Sequence, residues 1–233
     1  MEYTRIQGAR ETTNSNVMDA HVRKNLIYFI YHNGSLHHYH VLNLKLLSMF
    51  WSVFDGQKIV KIAVDGDYSI DPIVEMLPEG CEYRVVRNIP NTGECVHFLD
   101  SLVEVEGGMT FYGHCKGVTR PMLRGLDMWV THLYRKNLEN VPWLGDKIFA
   151  GVCGKLLPCP PYVPEPFHYS GSFYWFNTDK VKERLKGKQI VMEKYVTERF
   201  PGMMAKQEEC IFGFASSNEA LNFYEERTWR RLR

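Results

Sequence analysis

The chain has 233 residues, 45% hydrophobic and 24% charged, and at that length roughly 70% of the unfolded surface can be buried, so a full core forms without staples. A net charge of +1 offers no concentrated basic face and argues against nucleic acid as a partner. No apolar run approaches the ~18 to 20 residues of a transmembrane segment.

Residues 1–24 read as a loose leader, polar and mixed in charge with no apolar signal core, so the chain is expected to be cytoplasmic. Residues 25–233 are expected to form one domain. Asn25 to Tyr31 (NLIYFIY) is a continuous apolar run of the kind a buried parallel strand requires, and it stops at the turn signal His32-Asn33-Gly34-Ser35. Residues 37–54 carry Val41, Leu44, Leu47 and Phe54 at near-helical spacing. Lys58 to Val64 (KIVKIAV) predicts a second strand ending in Asp65-Gly66-Asp67. A short helix over Ile70 to Leu77 tolerates Pro72 in its first turn. A third strand spans Tyr83 to Val86. A helix over 93–106 has Cys95, Phe98, Leu99, Leu102 and Val105 on one face and stops at Gly107-Gly108.

Met109 to Gly113 predicts a fourth strand, followed by His114-Cys115-Lys116-Gly117 and a long helix over 121–139. Strand signals return at 147–152 and 172–176, around a Pro-rich stretch at 158–166. None of the six cysteines forms a CxxC pair, so they read as reduced thiols rather than as a disulfide framework or a zinc site. The basic tail, Arg227, Arg230, Arg231 and Arg233 around Trp229, reads either as a solvated helix end or as a grip on an anionic partner such as a membrane surface.

Alternation of strand and helix over the first 140 residues predicts right-handed crossovers and a mostly parallel α/β sheet. Ligands of such sheets sit at the carboxyl ends of the strands, which singles out the loops 31–35, 65–69, 87–93 and 113–120. Four constellations can carry chemistry. Asp65 and Asp67 form a DxD that either holds a cation or a ligand or makes a tight turn. His114, Lys116 and Gly117 suit a phosphate, with a point charge and close backbone, although His114 also fits a simple turn. Cys115 is a poor nucleophile candidate, because strand neighbours point to opposite faces. His168, Ser170, Gly171, Ser172 and Trp175 lie in a stretch whose small residues let a ligand approach the backbone. If that stretch is a strand, Tyr174 and Trp175 face opposite ways and one of them is core. Glu208 and Glu209 offer a general base, or merely an acidic helix start. No G-x-G-x-x-G, Walker loop, G-x-S-x-G elbow or H-E-x-x-H is present, which argues against dinucleotide oxidoreductases, P-loop enzymes, α/β-hydrolases and zinc peptidases.

The order of these pieces resembles GT-A-type glycosyltransferases, notably viral and bacterial members and rhamnan-synthesis-type transferases. An H-x-K-G-x-[ST] motif is matched by His114, Lys116, Gly117 and Thr119. A G-[SN]-[FM]-[FW]-W-x-[NR] strand is matched by Gly171, Ser172, Phe173, Tyr174, Trp175 and Asn177. The resemblance covers roughly residues 25–215. It implies a GT-A-like sheet and a UDP-, GDP- or dTDP-sugar donor lodged over Tyr31, His32, Asp65 and Asp67, with its diphosphate near 114–117. It further implies a glycan or glycoconjugate acceptor near His168 to Ser172 and Trp175, with Glu209 or Glu208 as base. Typical members place a metal-binding DxD where this chain has His114-Cys115-Lys116. If Lys116 supplies the charge no metal is needed; if His114 is a ligand, Mn²⁺ or Mg²⁺ is. The rival reading is a nucleotidyltransferase that makes a sugar nucleotide, for which His32 to Ser35 is a poor phosphate loop. A second rival is a non-catalytic binding protein of the same fold.

Overall fold

The computed structural model describes residues 21–119, 125–156, 166–213 and 215–216. Most of the predicted leader, the start of the long helix, most of the Pro-rich stretch and the basic tail lie outside the described residues.

The chain opens with β1 (Lys24–His32), α1 (His38–Met49), β2 (Lys58–Val64), the four-residue α2 (Asp71–Val74), β3 (Tyr83–Arg87), α3 (Gly93–Glu104) and β4 (Met109–His114). It continues with α4 (Leu126–Leu138), β5 (Phe149–Gly151), β6 (Gly154–Lys155), β7 (His168–Tyr169) and β8 (Tyr174–Asn177). Last come α5 (Thr178–Leu185), α6 (Val196–Met204), β9 (Cys210–Phe212) and β10 (Ala215–Ser216). The central sheet runs β3-β2-β1-β4-β8-β5-β9, with β8 antiparallel to both neighbours and every other pairing parallel. A small second sheet, β10-β6-β7, stands beside it. This is the mostly parallel, helix-flanked sheet that the sequence predicts.

The apolar runs of β1 and β2 do not alternate because both faces of the sheet are covered. Tyr28, Ile30, Val60 and Ile62 pack with Leu44 and Leu47 of α1 and with Trp129 and Leu133 of α4. Ile27 and Ile59 pack on the other side with Phe98 of α3, Val181 of α5 and Phe200 of α6. The same double cover corrects the expectation for β8. Tyr174 and Trp175 do point to opposite faces, yet both are core, with Tyr174 Oη donating to the Thr197 carbonyl at 2.9 Å and Trp175 Nε1 to the Asn137 carbonyl at 2.9 Å. Trp175 therefore belongs to the core rather than to a sugar subsite. Lys61, in the middle of β2, is buried and donates to the His97 carbonyl at 3.3 Å.

Several elements are shorter than the sequence predicts. The helix expected over 37–54 stops at Met49 and continues as a single 3-10 turn, Trp51–Val53. The helix expected over 70–77 is one turn. The last third, which reads as less regular from the sequence, contributes α6, β7 and β9, and α6 and β7 line one side of the site described next.

Candidate functional site

The carboxyl ends of β1, β2, β3 and β4 converge on one cavity of about 1050 Å³, roofed by the segments 168–172 and 193–198. Its location follows from the parallel sheet: strands of one direction deliver all their C-terminal loops to the same edge.

At one end stands Asp65, just past β2. Tyr31 Oη donates to its Oδ2 at 2.5 Å, and Asn88 Nδ2 donates to its Oδ1 at 2.8 Å. Those two bonds hold the Asp65 carboxyl below its ordinary range. Burial, with the carboxylate beside it, pushes the Tyr31 phenol up to about 12. His32 is buried beneath this corner, where its Nε2 bonds the Ser69 carbonyl at 3.1 Å and braces the 65–69 loop. It does not line the cavity, and Asp67 is exposed outside it. The two Asp residues of the DxD are thus split, one in the cleft and one in solvent.

At the centre β4 delivers His114 and the loop after it delivers Lys116. His114 Nδ1 lies 2.9 Å from Glu94 Oε1, near the start of α3. The same Glu94 oxygen accepts from Tyr112 Oη at 2.8 Å and from Thr197 Oγ1 at 2.7 Å. Burial works to raise the Glu94 pKa, but the His114 charge and these donors outweigh it and bring it down to about 2. Because the Glu94 carboxylate accepts only, it fixes the proton on Nδ1 and leaves Nε2, which has no hydrogen-bond partner in the protein. Lys116 Nζ sits 3.4 Å from Glu198 Oε1 and 4.6 Å from the centre of the Trp129 ring.

The backbone of this loop is set by Asn43, a fully buried residue of α1. Its Oδ1 accepts from the Lys116 amide at 3.1 Å and its Nδ2 donates to the Lys116 carbonyl at 2.9 Å. Gly117 follows with φ of +95°, and a Cβ there would stand 2.8 Å from Leu126 Cδ2, so no other residue fits without strain. Cys115 turns back into the core, with Sγ 3.6 Å from Tyr28 Oη. Burial pushes its thiol up to about 12, far from the thiolate a nucleophile needs.

At the far end, His168, Ser170 and Ser172 line the cavity. Ser170 Oγ lies 3.2 Å from His168 Nε2, and Ser172 Oγ lies 3.2 Å from Thr197 Oγ1. Gly171 turns toward α4 instead, at φ of +97°, and its amide donates to Glu198 Oε1 at 3.1 Å.

Of the residues singled out from the sequence, the fold brings together Tyr31, Asp65, His114, Lys116, Gly117, His168, Ser170 and Ser172. Glu208 and Glu209 are not among them. Glu209 is held by the Arg184 fork, with Nη1 to Oε2 at 2.8 Å and Nη2 to Oε1 at 2.5 Å, and by the Lys206 amide at 2.8 Å. The Arg184 bonds come first among the causes that lower its carboxyl to about 2. It lines a separate groove with Lys188 and Lys206, and Glu208 is exposed beside it. The glutamates that line the cleft instead include Glu94 and Glu198. Glu94 and Asn88 sit in or next to the 87–93 loop that topology singles out, so a search for polar residues there would have found them. Thr197 and Glu198 carry no motif.

The described residues gather no group of three His, Cys, Asp or Glu side chains able to hold a metal ion. A single imidazole nitrogen, His114 Nε2, is not a donor set for Mn²⁺ or Mg²⁺, which take mainly oxygen ligands. No helix among the described residues is long and apolar enough to cross a membrane.

No family model matches the chain, and no curated protein matches it. Among solved structures it is similar to glucosyl-3-phosphoglycerate synthase from Mycobacterium tuberculosis in complex with uridine diphosphate, at 12% identity and a TM-score of 0.47, over 91% of this chain and 78% of that one. It is also similar to a cytidylyltransferase from Leptospira borgpetersenii, at 14% identity and a TM-score of 0.40, over 85% of this chain and 77% of that one. A third likeness is to 4-diphosphocytidyl-2C-methyl-D-erythritol synthase from Anaerococcus prevotii, at 10% identity and a TM-score of 0.43, over 90% of this chain and 94% of that one.

Proposed function

We propose that the chain is a transferase that moves a sugar from a nucleoside-diphosphate donor, UDP-, GDP- or dTDP-linked, to a hydroxyl of a glycan or glycoconjugate, with residues 25–233 as its domain. The observation that carries the reading is the joint placement of Lys116 and His114 at the end of β4, in one cavity with Asp65 at one end and the His168–Ser172 segment at the other.

The division of labour follows from chemistry. Asp65, steadied by Tyr31 and Asn88, accepts hydrogen bonds from a base or ribose. Lys116 and His114 meet the diphosphate, whose charge grows as the bond to the sugar breaks. Ser170, Ser172 and His168 offer hydroxyl and imidazole partners to the sugar or acceptor. Glu94 acts on the phosphate only through His114: it accepts from three donors and its pKa is about 2, which makes it a poor proton acceptor.

A thermal-shift series against UDP, GDP, CDP and dTDP, their common sugars and the matching nucleoside triphosphates, with EDTA or with Mn²⁺, tests the reading. A ligand that binds only the folded state raises the melting temperature. One diphosphate shifting the protein supports the reading and names the base, and comparison of the two media shows whether binding needs a divalent cation. A shift with nucleoside triphosphates alone would favour nucleotidyl transfer, and no shift at millimolar ligand would sink both. Lys116→Ala should weaken the active diphosphate by about tenfold or more, the size of one charge-assisted hydrogen bond. Unchanged affinity would remove Lys116 from the phosphate site.

A further inference from the structure

Resting on that reading, we propose that Glu198 is the general base for the acceptor, and that the Lys116 ion pair holds it idle until a diphosphate draws the lysine away.

Glu198 lies in the first turn of α6, and its side chain is only 16% exposed. Both of its hydrogen-bond donors, Lys116 Nζ at 3.4 Å and the Gly171 amide at 3.1 Å, go to the same oxygen, Oε1. Oε2 receives no donor among the described residues. The carboxylate is thus anchored by one oxygen and open at the other, at the end of the cavity lined by Ser170 and Ser172. Glu94 likewise carries its donors on one oxygen, but three converge there against two on Glu198, and with the His114 charge they hold its carboxyl down at about 2, a poor proton acceptor. Glu209 is locked outside the cleft by a two-pronged arginine.

Lys116 is the shared element. Beside Glu198 it holds the carboxylate in an ion pair at 3.4 Å. A diphosphate carries at least two negative charges and competes for the same ammonium group. Once the lysine has moved to the phosphate, Glu198 retains the neutral Gly171 amide as its one donor and no longer faces a cation. In the transfer step the acceptor O–H bond breaks and Glu198 Oε2 takes the proton. The oxygen's electron pair forms the bond to the anomeric carbon. The carbon–oxygen bond to the phosphate breaks, and its electron pair leaves on the diphosphate, against Lys116 and His114. No oxidant or further reactant is required. Donor occupancy and base activation are coupled through one side chain, so the donor binds before the acceptor can react.

The test compares the wild type with Glu198→Gln and Glu198→Asp. Affinity for UDP, GDP, CDP and dTDP is measured by calorimetry, and release of the diphosphate from the matching nucleotide sugar is measured with water as acceptor. With Glu198→Gln, release should fall by about 100-fold, within the range for loss of a general base, while diphosphate affinity holds or rises because the lysine no longer has to leave a carboxylate. Unchanged release, or affinity falling in parallel with release, overturns the assignment and leaves Glu198 as a strut for the Gly171 turn. If Glu198→Gln does not fold, Glu198→Asp decides: it keeps the charge but withdraws the oxygen by about one methylene, so release should drop by about tenfold or more with affinity kept. If the wild type binds none of the diphosphates, the functional reading itself fails, an outcome distinct from failure of the base.

Discussion

Glu198, in the first turn of α6, and Glu209, the last residue of the 3-10 turn Gln207–Glu209, are both ion-paired, yet their surroundings give them opposite capacities. Glu209 sits where Arg184 presents two parallel N–H groups and the Lys206 amide a third, so both oxygens are satisfied and nothing is left for a substrate. Glu198 meets a single-point cation and one amide on one oxygen, leaving the other open. A carboxylate's use is decided by how many of its lone pairs the fold has already taken, and the residue type alone does not report that. A lysine can be drawn away by a stronger anion, whereas a bidentate arginine in an outlying groove has no competitor to answer.

The contrast can be sharpened by following the other two carboxylates. Glu94→Gln removes the charge that fixes the His114 proton and should lower the rate of diphosphate release by about 10- to 100-fold, as loss of an orienting partner does. If release is unaffected, His114 is not held for work by Glu94. Next in size is Glu209→Gln. It breaks a satisfied, partly exposed fork and should lower stability by about 1–2 kcal/mol in chemical denaturation while diphosphate affinity stays at the wild-type value. Loss of affinity would join the two grooves functionally and undo the distinction.

The smallest effect concerns acid. The Glu94 and Glu209 carboxyls are each lowered to about 2 from an ordinary 4.5, so each contributes stability that is present above about pH 4.5 and is lost as pH falls toward 2. His40, lowered chiefly by its burial, adds a loss that begins as pH drops through about 6.5. Melting temperature against pH should therefore fall in two stages, and Glu209→Gln should flatten the lower one.

Much of this arrangement is legible in the amino-acid order. Both-face burial makes β1 and β2 read as unbroken apolar runs, and a run of parallel strands points its loops, including 65–69, 87–93 and 113–120, at one edge. What the order does not display is pairing across long separations. Lys116 and Glu198 are 82 residues apart, and nothing local to Thr197-Glu198 distinguishes it from an ordinary acidic helix start, whereas the adjacent pair at 208–209 draws the eye. Alternation along a strand leaves one of Tyr174 and Trp175 for the sugar or acceptor. Only the antiparallel insertion of β8 between β4 and β5, with helices over both faces, makes both core.

The Asn43 clamp carries a consequence for affinity. Because one buried amide from α1 grips both the N–H and the C=O of Lys116, the ordering entropy of the β4 loop is spent during folding rather than at the moment of binding. A ligand arriving at that loop meets a rigid cradle and loses little free energy in shaping it. On the proposed reading, affinity for a diphosphate depends in part on Asn43, whose side chain bonds only the backbone of Tyr39 and Lys116.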